Sequence, residues 1–388
     1  MSSINFMEKL LDGVEVEWKA LGDVTSLRRG RVMSKEYLAD NAGDYPVYSS
    51  QTANNGEIGS IDTFDFDGEY ISWTTDGANA GTVFYRKGKF SVTNVCGLIS
   101  INDEKKINYK FLFYWLTTQA QKHVYSGMGN PKLMSHQVEK IPTPIPCPEN
   151  PKKSLEIQAE IVRILDAFTE LTTELTTELT TELTTRKKQY NYYRDQLLSF
   201  EEGEVEWKTL GNLCSIGVGQ APVGNEIGEY AFVNAGTTPS GFVSIFNTDP
   251  DTITTPSRGQ GGIGFVGYQK SRFWCGPLCY KIRSTSELLS TRFLYHVMAN
   301  SMKDIVGLAN MTGVPALNKK ELVGFPVPIP SPAEQARIVA ILDKFDAITS
   351  SITDGLPREI ALRQKQYEYY RDLLLSFPKP EAISTPNV

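Results

Sequence analysis

No apolar run in this chain approaches the ~18 residues needed to cross a bilayer. A membrane-spanning helix is therefore not expected. The opening stretch MSSINFMEKLLDG lacks the basic start and apolar core of a secretory signal, so a cytoplasmic protein is expected. Cysteine is scarce and odd in number: Cys96, Cys147, Cys214, Cys275 and Cys279 are scattered, which argues against a disulfide framework and predicts free, mostly buried thiols. The three histidines, His123, His136 and His296, show no metal-ligand spacing with one another or with the cysteines. Positive charge is not in excess either. Thirty-nine Lys and Arg stand against 45 Asp and Glu, a net charge of −6, whereas a free-standing DNA binder is usually basic because phosphate neutralisation supplies most of its affinity. No glycine-rich phosphate loop ending in Gly-Lys-Ser/Thr occurs, nor an Asn-Pro-Pro-aromatic tetrapeptide of amino-methylating enzymes. No catalytic, cofactor-binding or metal-binding residue is assigned.

What is present is ordinary globular composition, 40% apolar and 22% charged over 388 residues, enough for two or three domains. Three stretches imitate functional motifs. FWCGPLCY resembles a thioredoxin-type redox site, but Leu278 adds a residue between the cysteines and the surroundings read as a buried strand, Phe273 to Ile282. GQGGIGFVG at 259 to 267 has the wrong spacing for a dinucleotide loop and reads as a strand and turn. The carboxylates of DTFDFDGEY read as a solvated turn, not a nuclease metal site.

An internal repeat organises the chain. EVEWKALGDV at 15 to 24 returns as EVEWKTLGNL at 204 to 213, and IPTPIP at 141 to 146 as GFPVPIP at 324 to 330. IQAEIVRILDAF at 157 to 168 returns as EQARIVAILDKF at 334 to 345, and RKKQYNYYRDQLLSF at 186 to 200 as LRQKQYEYYRDLLLSF at 362 to 377. One unit thus occurs twice: a Trp-containing entrance, a variable stretch, a proline-rich exit and a long helical segment. The variable stretches, about 25 to 140 and 214 to 323, share almost no sequence, yet both read as strands and turns followed by one helix, two α+β globules of related plan. Similar frames around unlike inserts suggest two modules of one kind that read different things.

Between the frames lies LTTELTTELTTELTT, Leu171 to Thr185. Its leucines Leu171, Leu175, Leu179 and Leu183 stay four apart, as do Ile348, Ile352, Leu356 and Ile360 of the second copy. A four-residue step turns a helix by ~400°, so the stripe drifts ~40° per repeat and supports only a short contact. Threonine is a poor helix former, so the array is not built for intrinsic stability. Gly355 and Pro357 predict a kink or restart in the second segment. The opening residues 4 to 12 repeat the phrase that ends the first helix, as if they completed the C-terminal helix near Phe377.

The duplicated EVEWK.LG, the PIP exits, the IQ.EIVRILD.F and RKKQYNYYRDQLLSF phrases and the tandem tetrapeptide together resemble the specificity subunit of type I restriction-modification enzymes, in the subfamily with a Thr-x-Glu-Leu spacer repeat. The resemblance covers the frame over nearly the whole chain. It implies an α+β fold with two target-recognition domains, held apart by two long antiparallel helices in a pseudo-two-fold circular arrangement. The implied boundaries are 1–150 for the first recognition domain, 151–203 for the central spacer helix, 204–330 for the second recognition domain and 331–388 for the distal helix. Each domain would read one half of a bipartite double-stranded DNA site. Two methylation subunits would dock on the repeats, with two restriction and translocase subunits in the full complex. S-adenosylmethionine, ATP and Mg are then expected in those partners and not in this chain.

The residues themselves leave rivals open. A scaffold presenting two non-DNA binding modules suits the acidic charge, and a fused solitary methyltransferase is disfavoured by the absent motifs. Base readout needs paired donors and acceptors on loops. In the first domain the candidates are Ser49, Gln51, Asn54, Asn55, Trp73, Thr75, Asn79, Asn130 and Lys132. In the second they are Gln220, Arg258, Gln260, Lys270, Arg272, Asn310, Thr312, Asn318 and Lys319. Each competes with the plainer role of a turn residue satisfying its own backbone. The aromatic-basic run RKKQYNYYRDQ reads as a face for a protein partner.

Overall fold

In this computed structural model, residues 6–127, 129–201, 203–222, 227–350 and 355–378 are described. The chain packs as two compact units, Met1–Thr176 with Leu362–Val388, and Thr177–Ala361. Each therefore joins one variable globule to parts of both helical segments. The division falls inside the helical segments, because the two ends of the long helix pack on different globules.

In the first unit the strands are β1 (Val16–Ala20), β2 (Thr25–Arg29), β3 (Ala42–Tyr48), β4 (Glu57–Ile61), β5 (Phe66–Thr74), β6 (Val83–Val92), β7 (Cys96–Ile101) and β8 (Pro142–Pro146). Six of them form one sheet in the order β2-β7-β5-β6-β3-β4, while β1 and β8 pair separately. Three prolines alternate along β8, which leaves only Thr143 and Ile145 with N–H groups for a ladder and keeps this ribbon at two strands. Period-two alternation along β5 sends Ile71 and Trp73 to the main core. Tyr70, one residue before Ile71, packs on the opposite face with Phe90, Val92 and Leu98. Against the main core lie Phe111, Leu112, Trp115 and Leu116 of the helix Tyr109–Gln119, together with Ile157, Ile161 and Leu165 of the long helix. Met7 and Leu11 share that core with Leu374, Leu375 and Phe377, and the Trp18 indole donates to the Pro378 carbonyl at 2.9 Å. The described part of the N-terminal segment thus does meet the end of the C-terminal helix; residues 4 and 5 lie outside the described residues.

The second unit repeats this plan with different side chains. Its strands are β9 (Glu206–Thr209), β10 (Cys214–Val218), β11 (Tyr230–Val233), β12 (Gly241–Val243), β13 (Thr252–Pro256), β14 (Gly267–Gln269), β15 (Phe273–Cys275), β16 (Cys279–Ser284) and β17 (Pro326–Ile329). The order β10-β16-β13-β14 matches β2-β7-β5-β6, and β9 pairs with the proline-rich β17 as β1 does with β8. Cys275 and Cys279 are free and buried on the two strands that flank the Gly-Pro-Leu turn, the strand setting expected for FWCGPLCY.

Two frame residues explain how unlike globules sit on like helices. Buried Gln158 accepts from the Asn108 amide (2.9 Å) and donates to the Lys106 carbonyl (2.8 Å), clamping the start of the helix Tyr109–Gln119. Its repeat mate Gln335 does the same for the helix Thr291–Asn300, accepting from Ser290 (2.9 Å) and donating to Leu288 (2.8 Å). Two turns further on, Asp166 takes Tyr114 Oη (2.7 Å) and Lys110 (2.6 Å), and Asp343 takes His296 Nε2 (2.7 Å) and Arg292 (2.7 Å). Main-chain clamping places no demand on the variable sequence, so one frame can carry many inserts.

The tetrapeptide array lies wholly within the 47-residue helix Pro151–Leu197. Two of its threonines bond back along it: Thr181 Oγ1 donates to the Thr177 carbonyl (2.8 Å) and Thr184 Oγ1 to that of Thr180 (2.9 Å). The second segment is not one helix. Pro332–Ser350 and Leu356–Leu374 are separate, with Gly355 non-helical and Pro357 in the first turn of the latter; residues 351–354, and with them Ile352, lie outside the described residues.

Candidate nucleic-acid interface

In the first unit one end of the large sheet gathers several of the expected residues through a chain of bonds. Thr93 Oγ1 donates to Ser49 Oγ (2.8 Å), the Thr75 amide reaches the Val95 carbonyl (3.2 Å), and the Leu133 amide reaches the Thr75 carbonyl (2.9 Å). Ser49 begins a loop closed by its own amide on the Gly56 carbonyl (2.9 Å), inside which Gln51 donates to the Glu57 carbonyl. Asn54 and Asn55 form the exposed tip, both left-handed with φ of 49° and 53°. Such backbone costs about 1 kcal/mol or more per residue and occurs readily only for Asn, Asp and Gly. Asn79 is exposed in the β5–β6 turn, Asn130 is exposed ahead of the next strap, and Lys132 pairs with Asp76 at 3.8 Å.

Two candidates are placed elsewhere. Trp73 is 1% exposed, donates its indole N–H to the Leu133 carbonyl (2.9 Å), and lies where a Cβ on Gly97 would fall 2.2 Å from its ring. Thr75 is buried, with its hydroxyl on Asp76 (2.6 Å) and the Val95 carbonyl (3.0 Å). Both hold the surface up from beneath it. A period-two strand necessarily turns every other polar candidate inward, and sequence spacing alone did not say which.

In the second unit Gln220 is fixed by its backbone, its amide on the Cys275 carbonyl (2.9 Å) and its carbonyl taking the Trp274 indole (2.8 Å). The Ser257 amide donates to the Leu278 carbonyl (2.8 Å), which sets exposed Arg258 and Gln260 beside this edge. Asn310 bonds the Thr312 amide (2.9 Å) through its side chain, and exposed Asn318 and Lys319 follow directly at the start of a short helix. Lys270 is exposed on another turn, and Arg272 is held by Asp249 (3.6 Å) and the Phe246 ring (4.6 Å).

Sequence reasoning missed Arg28, Arg29 and Asn94. The first two are exposed on β2, and Arg29 donates to the Asn94 carbonyl (3.4 Å) at the same sheet end. The run LRRGR carried that signal. Arg86 was also missed: it is 2% exposed, its guanidinium lies 3.6 Å over the Tyr48 ring, and its Nε donates to Ser72 (2.9 Å). Neither of its Nη atoms has a hydrogen-bond partner among the described residues, and burial pushes its pKa down. Among the described residues no group of His, Cys, Asp and Glu is arranged to hold a metal ion, and no helix is long and apolar enough to cross a membrane.

The family described as type I restriction modification DNA specificity domain matches twice, over residues 13–185 and 202–362. The chain belongs to this family. Among specificity-family relatives, it is 39% identical to the type I restriction enzyme EcoR124I/EcoR124II specificity subunit of Escherichia coli, over 99% of this chain and all of that one. A putative type I specificity subunit from Mycoplasma pneumoniae is 31% identical over 95% of this chain and all of its own length. Solved structures share the fold: the S subunit of a type I restriction-modification system from M. genitalium aligns with a TM-score of 0.58 at 19% identity, covering 95% of this chain and 98% of that one. A chain from a type I restriction-modification assembly aligns at 0.61 and 16% identity, covering 93% and 97%.

Proposed function

We propose that this chain is the sequence-recognition subunit of a type I restriction-modification complex, in which each unit reads one half of an asymmetric bipartite DNA site and so directs adenine methylation or restriction by partner subunits. One observation carries the reading: the specificity domain matches each half separately, over two units that share strand order and frame clamps but not side chains. Like scaffolds with unlike surfaces suit two half-sites of different sequence. The subunit is non-catalytic, in keeping with the relatives' designation, and S-adenosylmethionine, ATP and Mg belong to its partners. A scaffold for non-DNA modules is not favoured by these likenesses.

Two methylation subunits fit the duplicated frame. Tyr192 and Tyr369 are repeat mates, and both remain exposed (58% and 64%) on their helices, a costly placement for two aromatic rings unless a partner covers them. Two restriction and translocase subunits complete the assembly. On this reading two long antiparallel helices, in a pseudo-two-fold circular arrangement, would hold the readers apart, and the Thr-x-Glu-Leu array supports the spacer-repeat subfamily. The test exchanges residues 25 to 140 for the matching stretch of a relative, then maps methylated sites in cells that also make the methylation subunit. One half-site should change and the other stay; change in both, or in neither, refutes independent reading.

A further inference from the structure

At the end of each main sheet, beyond β5 and beyond β13, lies a short ribbon built by the same bonds from unlike sequences. In the first unit the Leu133 amide donates to the Thr75 carbonyl (2.9 Å) and the Gly77 amide to the Pro131 carbonyl (3.0 Å). In the second, Leu317 donates to Ser257 (2.9 Å) and Gly259 to Pro315 (3.1 Å). A third segment joins each ribbon through a reciprocal pair, Tyr125 with Lys132 (2.9 and 3.0 Å) and Asn310 with Ala316 (2.9 and 3.0 Å). Even the anchor is matched: the Leu133 carbonyl takes the Trp73 indole (2.9 Å), and the Leu317 carbonyl takes the Tyr280 phenol (2.9 Å).

Thr75-Asp76-Gly77 with Pro131-Lys132-Leu133 therefore corresponds to Ser257-Arg258-Gly259 with Pro315-Ala316-Leu317. Both glycines are left-handed, with φ of 89° and 116°, a conformation that suits glycine and closes each turn just after the variable residue. Leu133 and Leu317 point inward, so the alternation sends positions 76 and 132, or 258 and 316, outward. The backbone, the Pro, Leu and Gly recur, Thr75 is replaced by the similar Ser257, and the outward pair changes in chemistry: Asp76 and Lys132 in one unit, Arg258 and Ala316 in the other. Around them the third segment exposes large groups, Tyr125 (66%) before one strap and Met311 and Val314 (58% and 67%) before the other.

We propose that this ribbon is the base-reading element of each unit, Asp76 with Lys132 in the first and Arg258 in the second; this rests on the reading that each unit recognises one half-site. A narrow β-ribbon fits the major groove, where Arg addresses guanine O6 and N7 in a bidentate pair, Lys donates to the same edge, and Asp accepts from cytosine N4. Arg258 accordingly reads a guanine of its half-site. Asp76, oriented by the Thr75 hydroxyl and 3.8 Å from Lys132, reads with it one G·C pair.

The experiment uses the whole chain assembled with its methylation subunit, methylated-site mapping, and competition binding against DNA with each base of the site replaced in turn. Arg258→Gln is expected to relax one guanine position of the second half-site, leave the first half-site and the gap unchanged, and weaken binding to the original site roughly five- to 150-fold. Asp76→Asn with Lys132→Gln does the same in the first half-site only. Arg258→Lys keeps the charge without the fork, so it should discriminate guanine less sharply than Arg258 but retain more of the original binding than Arg258→Gln. An unchanged motif, or a loss of affinity uniform over all sequences, overturns the proposal. For Arg258→Gln a fall in melting temperature overturns it too, since the ribbon's own bonds in the second unit come from main chain and Tyr280. Failure of half-site reading itself would look different: exchanging residues 25 to 140 would then alter both halves or neither.

Discussion

Gln158 and Gln335 show how far a single residue reaches in this fold. Each amide is almost fully buried and joins a donor and an acceptor of a different segment to its own helix. Replacing either by Ala strands an N–H and a C=O that are only part-buried, a loss of about 1–3 kcal/mol. Denaturant unfolding of Gln158→Ala and Gln335→Ala should show that loss with little change in the sites recognised. A loss under ~0.5 kcal/mol would mean that water replaces the amide. His296 gives a second prediction. Burial pushes its pKa down, Arg292 adds to this, and the bond to Asp343 pulls the other way without prevailing; Asp346 and Tyr295 also face it. Neutral imidazole is thus favoured in the folded chain, so its contribution is complete above the ordinary histidine range and fades as pH falls below about 6.5. Asp343 is itself held low: burial pushes its pKa up, but the bonds from Arg292 and His296 prevail, so its own contribution fades only in stronger acid. The first unit has Tyr114 in this place. Thermal melting of His296→Gln should therefore decline less between pH 7 and pH 5 than that of the parent chain; equal slopes would show that this imidazole is not the sensor.

At the scale of an element, the array Leu171 to Thr185 answers why a helix should repeat four residues. The hydroxyls of Thr181 and Thr184 reach the carbonyls of Thr177 and Thr180, four positions back, and a period of four sets threonine at both ends of each such bond. Adding or removing a unit keeps that pattern. It also changes helix length by ~6 Å and its phase by ~40° beyond a full turn, close to the 34–36° twist of one base pair while overshooting its ~3.4 Å rise. Deleting Thr176 to Leu179 should keep both half-site sequences and shorten the gap between them by about one base pair, two at most. Methylated-site mapping of the deletion variant reads this directly. An unchanged gap would remove the array from spacing, and altered half-sites would make it part of the reading. Removing one residue instead swings the far end by ~100° and breaks the leucine stripe, so loss of all site-specific methylation is expected there.

For the whole molecule the family membership and the absent motifs point the same way. The purified chain should neither bind S-adenosylmethionine nor transfer a methyl group to DNA, as isothermal titration and a tritium-transfer assay would show. Methyl transfer by the chain alone would overturn its non-catalytic role. Its net charge of −6 further predicts weak, strongly salt-dependent DNA binding in isolation and much tighter binding once the methylation subunits are present. Equal affinity with and without them would show that this chain supplies the whole clamp.

The sequence by itself determined the duplication, the helical array, the break at Gly355 and the related plan of the two globules. These are local or periodic properties, written in spacing and in residues such as Pro142, Pro144 and Pro146 that permit few conformations. It also singled out Lys132, Arg258 and Asn310, because paired donors on glycine-bearing loops are visible in a string of letters. Only the tertiary structure decided that Trp73 and Thr75 face inward, since a strand's two faces are told apart by what packs against them. Only it brought Arg29 beside Asn94 and buried Arg86 over Tyr48. The correspondence of Asp76 with Arg258 was equally hidden in the sequence: it is carried by main-chain hydrogen bonds, which any residue but proline can donate, and such bonds leave no mark on side-chain identity.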